Sequence, residues 1–298
     1  MRVSDNQFFN TMMYTVRNSN IELNKLYQQI TTNEKIHAIS DDPIGAMQLQ
    51  TIEENKVEFA QYDKNIDLLL TKYNRYETHL NSIETATQRL NELFIYSRNG
   101  ALTKDDRDAI AIEVNGLREE MLHAFNTTEE GYYIFSGTDI DQPAITYDSA
   151  TKTYTLTGNN DYRFTEVGDN RNYKSNVTVD DVIVNLDLFN SIEALLVELQ
   201  TPTVNYDANI ETAQVLFKEG QEQVINSLGK LGADYAELER FNRTNDDLVF
   251  YNDLLYNEIN SVDFAQTSAK LEQEKAGLQI SYTVFANIIQ KLSLFNEI

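Results

Sequence analysis

The fold is decided by residues 59–94, FAQYDKNIDLLLTKYNRYETHLNSIETATQRLNELF, in which apolar side chains recur at spacings of three and four. Such spacing is a heptad seam, typical of helices that pack along one another. Just upstream, Asp42 is suited to cap a helix whose first residue is Pro43. The pattern therefore predicts a helix over residues 43–98, about 84 Å long, which needs partner helices along its length.

The same chain supplies such partners. Thr103 and Asp106 have the spacing of a capping box ahead of another apolar seam. Helical spacing returns over residues 189–199 and again through most of the last third of the chain. Gly229 and Gly232 are expected to interrupt this last region, at a cost of about 1 kcal/mol each.

Residues 132–186 have a different pattern. Ile145 and Tyr147, and then Tyr154 and Leu156, alternate with polar residues on either side of DSATK, which predicts a β-hairpin. Further short strands are predicted around Tyr162, Phe164, Val177, Val179, Val182 and Val184. The fold class is therefore mainly α: a long antiparallel, coiled-coil-like helical rod formed by the N- and C-terminal regions, with a small inserted β-rich domain.

Both chain ends carry apolar heptads, although termini are usually polar and frayed. A lone pair of such helices would bury one seam and leave Met13 and similar residues exposed, as at an interface. We therefore expect the ends to order against neighbouring subunits; the alternative is that they are outer helices of a self-contained antiparallel bundle. The predicted subunit-interface residues are Phe9, Met12, Val16, Leu23, Leu26, Ile30, Leu278, Phe285, Ile288, Leu292, Leu294 and Phe295.

Charge and composition exclude several functions. The formal net charge is -23, with 47 acidic and 24 basic residues, so nucleic-acid binding is disfavoured. The absence of cysteine excludes disulfides and thiolate metal sites. No window approaches 18 consecutive apolar residues, and the N-terminal sequence lacks the pattern of a cleaved signal peptide, so we expect a soluble chain without membrane insertion.

The sequence also lacks a convincing catalytic constellation. His37, His79 and His123 are far apart, and the adjacent acidic pairs are better explained by helix capping or solvation. TDIDQP and GDNRN echo only fragments of calcium loops, which leaves open a weak surface cation site. We predict no enzyme activity, catalytic residue, metal or cofactor; the alternative is an enzyme with its site in the β-rich domain.

Four motifs in order resemble the hook–filament junction proteins of the flagellin family. The first two are QQITTNEKIHAISDDPIG (28–45) and GYYIFSGT (131–138). The third is the segment that leads into the last helix, with Ser261, Val262, Asp263 and Ala265, and the fourth is the C-terminal QISYTVFANIIQKLSLFNEI (279–298). Flagellin itself usually has D-D-A-A-G in place of residues 41–45 and lacks the FSGT element. Asp234 departs from relatives that often carry arginine there, which puts any salt bridge at that position in doubt.

The resemblance implies a structural adaptor that self-assembles into a ring between the first hook-associated protein and flagellin. It further implies passage through the flagellar type III export apparatus, with a cytoplasmic chaperone beforehand, and an extracellular location. The alternatives are a flagellin-like filament subunit or a cytoplasmic coiled-coil scaffold.

The resemblance also implies three domains. Residues 1–40 and 264–298 would form the inner polymerisation domain, and residues 41–131 and 187–263 the rod. Residues 132–186 would form the outward-facing β domain. The turn between the terminal and rod domains is expected at Ser40, Asp41, Asp42, Pro43 and Gly45.

Overall fold

A computed structural model describes the backbone of residues 2–295 and the side chains of residues 7–290. The long elements are helices, as predicted. They are α1 (Arg2–Thr32), α2 (Pro43–Ser97), α3 (Lys104–Phe125), α4 (Val179–Val182), α5 (Asp187–Gln200), α6 (Tyr206–Asn260) and α7 (Phe264–Phe295).

The chain divides into two compact units. The terminal unit comprises Met1–Glu58 and Asp247–Ile298, and the central unit comprises Phe59–Asp246. The helices α2 and α6 contribute residues to both units. The three-domain division predicted from the sequence places its boundaries elsewhere and stays a prediction.

The core of the central unit is aromatic. Phe125 lies at its centre, with ring centroids 5.8 Å from both Phe135 and Phe189. Phe94 of α2 and Phe217 of α6 meet at 4.9 Å. All five side chains have no exposed surface. Complete burial of a phenylalanine ring supplies about 1.5–3 kcal/mol, so this unit has the means to fold around its own core.

Helix boundaries follow the predicted caps. The Gly45 N–H donates to Asp42 Oδ1 at 3.0 Å, which confirms Asp42 as the cap of α2. The Thr103 and Asp106 side chains each accept a bond from the other residue's N–H, which confirms the capping box of α3. Helix α6 continues through Gly229 and Gly232 without interruption.

Within the described residues the β structure consists of three separate antiparallel hairpins. The pairing of Ile145 with Leu156 confirms the predicted hairpin around DSATK. The strands are β1 (Thr128–Glu129), β2 (Tyr132–Tyr133), β3 (Ile145–Asp148), β4 (Thr153–Leu156), β5 (Phe164–Gly168) and β6 (Arg171–Lys174).

The prediction of strands among the last valines is wrong, because Val179 and Val182 lie in the short helix α4. Neither Tyr162 nor Val177 nor Val184 lies in a strand either. The Asp181 carboxylate accepts the N–H of Thr178 at 3.0 Å, which starts a helical turn there. The i, i+3 spacing then buries both helical valines on one side.

The FSGT element is a close contact of two backbone segments. Gly137 has a φ of 71°, and a Cβ there would lie 2.2 Å from the Asn159 carbonyl oxygen. Asn159 Oδ1 accepts the N–H of Thr138 at 2.9 Å. A Cβ on Gly158 would lie 2.7 Å from Ser136 Cα. Both glycines are therefore required for this approach.

Candidate assembly surface

The two chain ends pair with each other in the terminal unit. Leu23 and Leu26 of α1 are buried together with Leu271 of α7, and Ile30 and Leu278 pack against them. This apolar seam occupies one face of each helix. Because the seam is a contact between only two helices, it does not bury the faces of α1 and α7 that point away from it.

An aromatic pair and a cation extend the contact. The rings of Phe9 and Phe285 lie 5.5 Å apart. Lys275 Nζ lies 5.3 Å from the centre of the Tyr27 ring. Its hydrogen bond to Glu272 raises the pKa of Lys275, with a smaller contribution from Tyr27. Contacts outside the seam, as well as the seam itself, therefore stabilise the pairing of α1 with α7.

The predicted interface residues divide into three groups. Leu23, Leu26, Ile30 and Leu278 contribute to the seam within the chain. Phe9 is exposed, and the remaining four described members, Met12, Val16, Phe285 and Ile288, are half-buried. Leu292, Leu294 and Phe295 lie outside the described side chains. A role for the set between subunits stays a prediction.

A second group of apolar side chains remains exposed after α1 and α7 have paired. Ile21 is 57% exposed and Ile280 is 64% exposed. Exposure of Met13 was expected from the sequence, but that of most of the others was not, because they lie outside the heptad positions. At 100° per residue, Tyr14 and Ile21 lie about half a turn from the α1 seam. The group comprises Phe8, Met13, Tyr14, Ile21 and Tyr27 on α1, and Ile280, Tyr282, Val284 and Ile289 on α7.

The predicted turn after α1 is held by a carboxylate. Asp41 forms a 2.9 Å ion pair with Lys25 and accepts the N–H groups of His37 and Ala38, each at 3.1 Å. The Lys25 ammonium is the main reason why the pKa of Asp41 is lowered, and the two backbone donors add to this effect. Ser40 and Pro43 are exposed in the same turn.

Asn260, the last residue of α6, joins this turn to the start of α7. Its backbone carbonyl accepts the N–H of Lys35 at 2.6 Å, and its side-chain oxygen accepts the N–H of Ile36 at 2.9 Å. Glu34 and Ser261 form an antiparallel bridge beside these bonds. The end of α1 and the start of α7 are thereby held together.

Several titratable side chains of the described residues have shifted pKa values. Burial lowers the pKa of His79, and His123 lowers it further, although Glu129 acts in the opposite direction. Within the described range no group of three His, Asp or Glu side chains is placed to hold a metal ion.

Asp234 has no ion pair among the described side chains, and burial raises the pKa of its carboxyl. None of the described helices contains an apolar stretch that could cross a bilayer.

Terminal helices that pair and still present apolar side chains have the form of an assembly surface, and the comparisons point to flagellar proteins. Residues 3–139 match the family model described as the bacterial flagellin N-terminal helical region. The N-terminal part of the chain therefore resembles the N-terminal helical region of flagellins.

Over almost its full length the chain is similar to flagellar hook-associated protein 3. It is 26% identical to that protein from Escherichia coli K12 and 27% identical to that from Salmonella typhimurium LT2, in both cases over 99% of each chain. A solved flagellar hook-associated protein from Vibrio parahaemolyticus is 25% identical, with a TM-score of 0.68 over 74% of this chain and 100% of that one. The flagellar junction protein FlgL from Legionella pneumophila, at 14% identity and a TM-score of 0.62, shares the fold over 72% of this chain and 99% of its own.

Proposed function

We propose that this chain is a structural adaptor of the flagellum, which polymerises through its terminal helices and joins the hook side to the flagellin filament. The observation that carries the proposal is the apolar group left exposed on α1 and α7. Residues such as Ile21 and Ile280 have no cover from the seam, and exposed apolar stripes of this kind mark interfaces. Equivalent helices of neighbouring subunits are the natural cover.

The partners follow from the same proposal. Subunits form a ring, with the first hook-associated protein on one side and flagellin on the other. The relatives named flagellar hook-associated protein 3 support this position. The chain has a structural role and no enzymatic one. Its terminal helices form the inner polymerisation domain, and the β-rich residues 132–186 face outward.

Export belongs to the proposal as well. The chain leaves the cell through the flagellar type III apparatus without cleavage of a signal peptide and functions outside it. Before export a cytoplasmic chaperone covers the terminal helices, because their apolar side chains would otherwise associate non-specifically.

Two charge substitutions on the exposed faces test the proposal. Ile21→Asp and Ile280→Asp place carboxylates where a neighbouring helix would pack, without changing the seam of the chain itself. We expect both variants to keep wild-type helix content by circular dichroism but to fail to restore filaments, counted by electron microscopy, in a strain that lacks the native protein. Asn18→Asp and Gln279→Glu are matched controls, since both residues are exposed and polar. Full-length filaments with Ile21→Asp and Ile280→Asp would contradict the proposal.

Immunogold labelling separates the adaptor from its alternatives. Label confined to the hook–filament boundary is expected. Label along the whole filament would identify a filament subunit, and label retained in the cell would identify a cytoplasmic scaffold.

A further inference from the structure

A cavity of about 240 Å³ in the central unit gathers positive charge. Its lining comes from α2, the β1–β2 hairpin and the loop that follows it, the segment that enters β5, and Ser175 after β6. Lys72, Arg75 and Arg163 contribute cations, and Tyr132 and Tyr133 contribute aromatic rings. Glu129 and Glu130 line the cavity as well, so its lining carries three cations and two carboxylates.

Two of these cations are exposed and have no partner among the described residues. Arg75 forms a 2.7 Å ion pair with Glu129, which neutralises it. Neither the Lys72 ammonium nor the Arg163 guanidinium has an ion pair or side-chain hydrogen bond within the part of the chain that the structure describes. Desolvation lowers the pKa of Lys72, and the like charge of Arg163 lowers it further. An anion between the two would relieve both effects.

The walls of the cavity are ordered before any ligand arrives. The Tyr76 hydroxyl donates to the Ile134 carbonyl at 2.9 Å, which joins α2 to the hairpin. Glu130 and Gly131 both have positive φ, as a tight two-residue hairpin turn requires. On the far side the Ser175 N–H donates to the Arg163 carbonyl at 2.7 Å. The site is therefore built by contacts that do not use the free cationic groups.

We propose that this cavity binds an oxyanion, through Lys72 and Arg163, with Tyr132 and Tyr133 as an aromatic wall. A carboxylate on a sugar and a free phosphate share the required chemistry, because both offer charged oxygens to ammonium and guanidinium donors. The aromatic wall favours the sugar, whose ring packs on tyrosine while its carboxylate meets the cations. The net negative charge of the chain repels anions in general. Saturable binding of an anion would therefore indicate a specific site and not diffuse electrostatic attraction.

Isothermal titration of the full chain with D-glucuronate, inorganic phosphate and D-glucose tests the proposal. At least one of the two anions is expected to saturate the wild type, whereas glucose, which lacks the charge, is not. Stronger binding of glucuronate identifies an acidic sugar, and stronger binding of phosphate identifies the free anion. Failure of both anions to saturate the wild type would overturn the proposal.

Two variants locate the binding. Lys72→Gln and Arg163→Gln are each expected to weaken it about tenfold, the effect of one lost charge-assisted hydrogen bond. Lys64→Gln is the matched control, since Lys64 is an exposed lysine of the same helix that does not line the cavity. Equal weakening by Lys64→Gln would show diffuse electrostatics and overturn the site. Circular dichroism checks that all three variants keep their helix content.

Discussion

The central and terminal units are made from the same kind of long helix but bury their apolar side chains to different extents. In the central unit Phe94, Phe125 and Phe189 are completely covered by other parts of that unit. In the terminal unit the seam is two helices wide, and residues such as Ile21 remain outside it. The difference shows that a heptad pattern determines which helices pair. The number of helices packed together determines whether a unit can bury all of its apolar side chains.

The largest effect is expected from a truncation in the aromatic core. Phe189→Ala removes a ring that contacts Phe125 and Tyr154, and it should cost about 3–5 kcal/mol of unfolding free energy. Urea unfolding followed by circular dichroism measures this. Val197→Ala, on the exposed side of the same helix, should change the free energy by less than about 0.5 kcal/mol. Equal shifts for the two variants would mean that the core is placed wrongly.

A smaller and local effect is expected in the terminal seam. Leu26→Ala should cost about 2 kcal/mol, because the two helices can partly close the space that it leaves. Hydrogen exchange should accelerate in α1 and α7 while residues 59–246 keep their protection. The exposed Ile21→Ala serves as control and should leave exchange unchanged. Loss of protection throughout the central unit would contradict the independence of the two units.

The same measurement on dilute wild-type protein sharpens the comparison. The amides of α1 and α7 should exchange faster than those of the central core, since the terminal seam buries fewer side chains. Equal protection of both units would remove the physical basis for assembly through the chain ends.

Substitution of one helical glycine in each unit by alanine tests how closely other atoms pack against that position. Gly229→Ala should stabilise the central unit by about 1 kcal/mol, since an added Cβ meets no atom within 4 Å and alanine is the better helix former. Gly45→Ala should destabilise the terminal unit by about 1 kcal/mol. Its Cβ would lie 2.6 Å from Ile36 Cδ1 and 2.9 Å from the capping Asp42 Oδ2. Thermal unfolding compares them, and a stabilising Gly45→Ala would disprove the close approach.

The smallest effect is a pH response of opposite sign in the two units. The lowered pKa of Asp41 means that its stabilisation, below about 1 kcal/mol, is present above the ordinary carboxyl pKa and is lost as the pH falls through the lowered value. The pKa of Asp234 is raised by burial, so its penalty is present above the raised pKa and disappears on acidification. Carboxyl chemical shifts should show Asp234 protonating at higher pH than Asp41. The reverse order would contradict both environments.

The sequence predicted the elements whose signals are local. Asp42 and Pro43 located the start of α2, and Thr103 with Asp106 located the start of α3, because capping bonds depend on residues three positions apart. The apolar alternation around DSATK predicted the hairpin for the same reason.

The features that the sequence did not predict depend on competing or distant contacts. Val177, Val179, Val182 and Val184 fit both strand and helix spacing, and only the Thr178–Asp181 cap decides for a helix at α4. The cavity at Lys72 could not be predicted, because Arg163 and the hairpin reach it from remote parts of the chain. Most of the exposed group on α1 and α7 was not predicted, because these residues lie outside the heptad positions.

The pairing of Leu26 with Leu271 also sets the order of events during synthesis. The two partners are separated by almost the whole polypeptide, so the seam has a very high contact order and must wait for the last residues to leave the ribosome. The central unit, whose segments are complete earlier, can fold first. Each newly made molecule therefore passes through a stage in which the amphipathic helix α1 has been synthesised but its partner α7 has not.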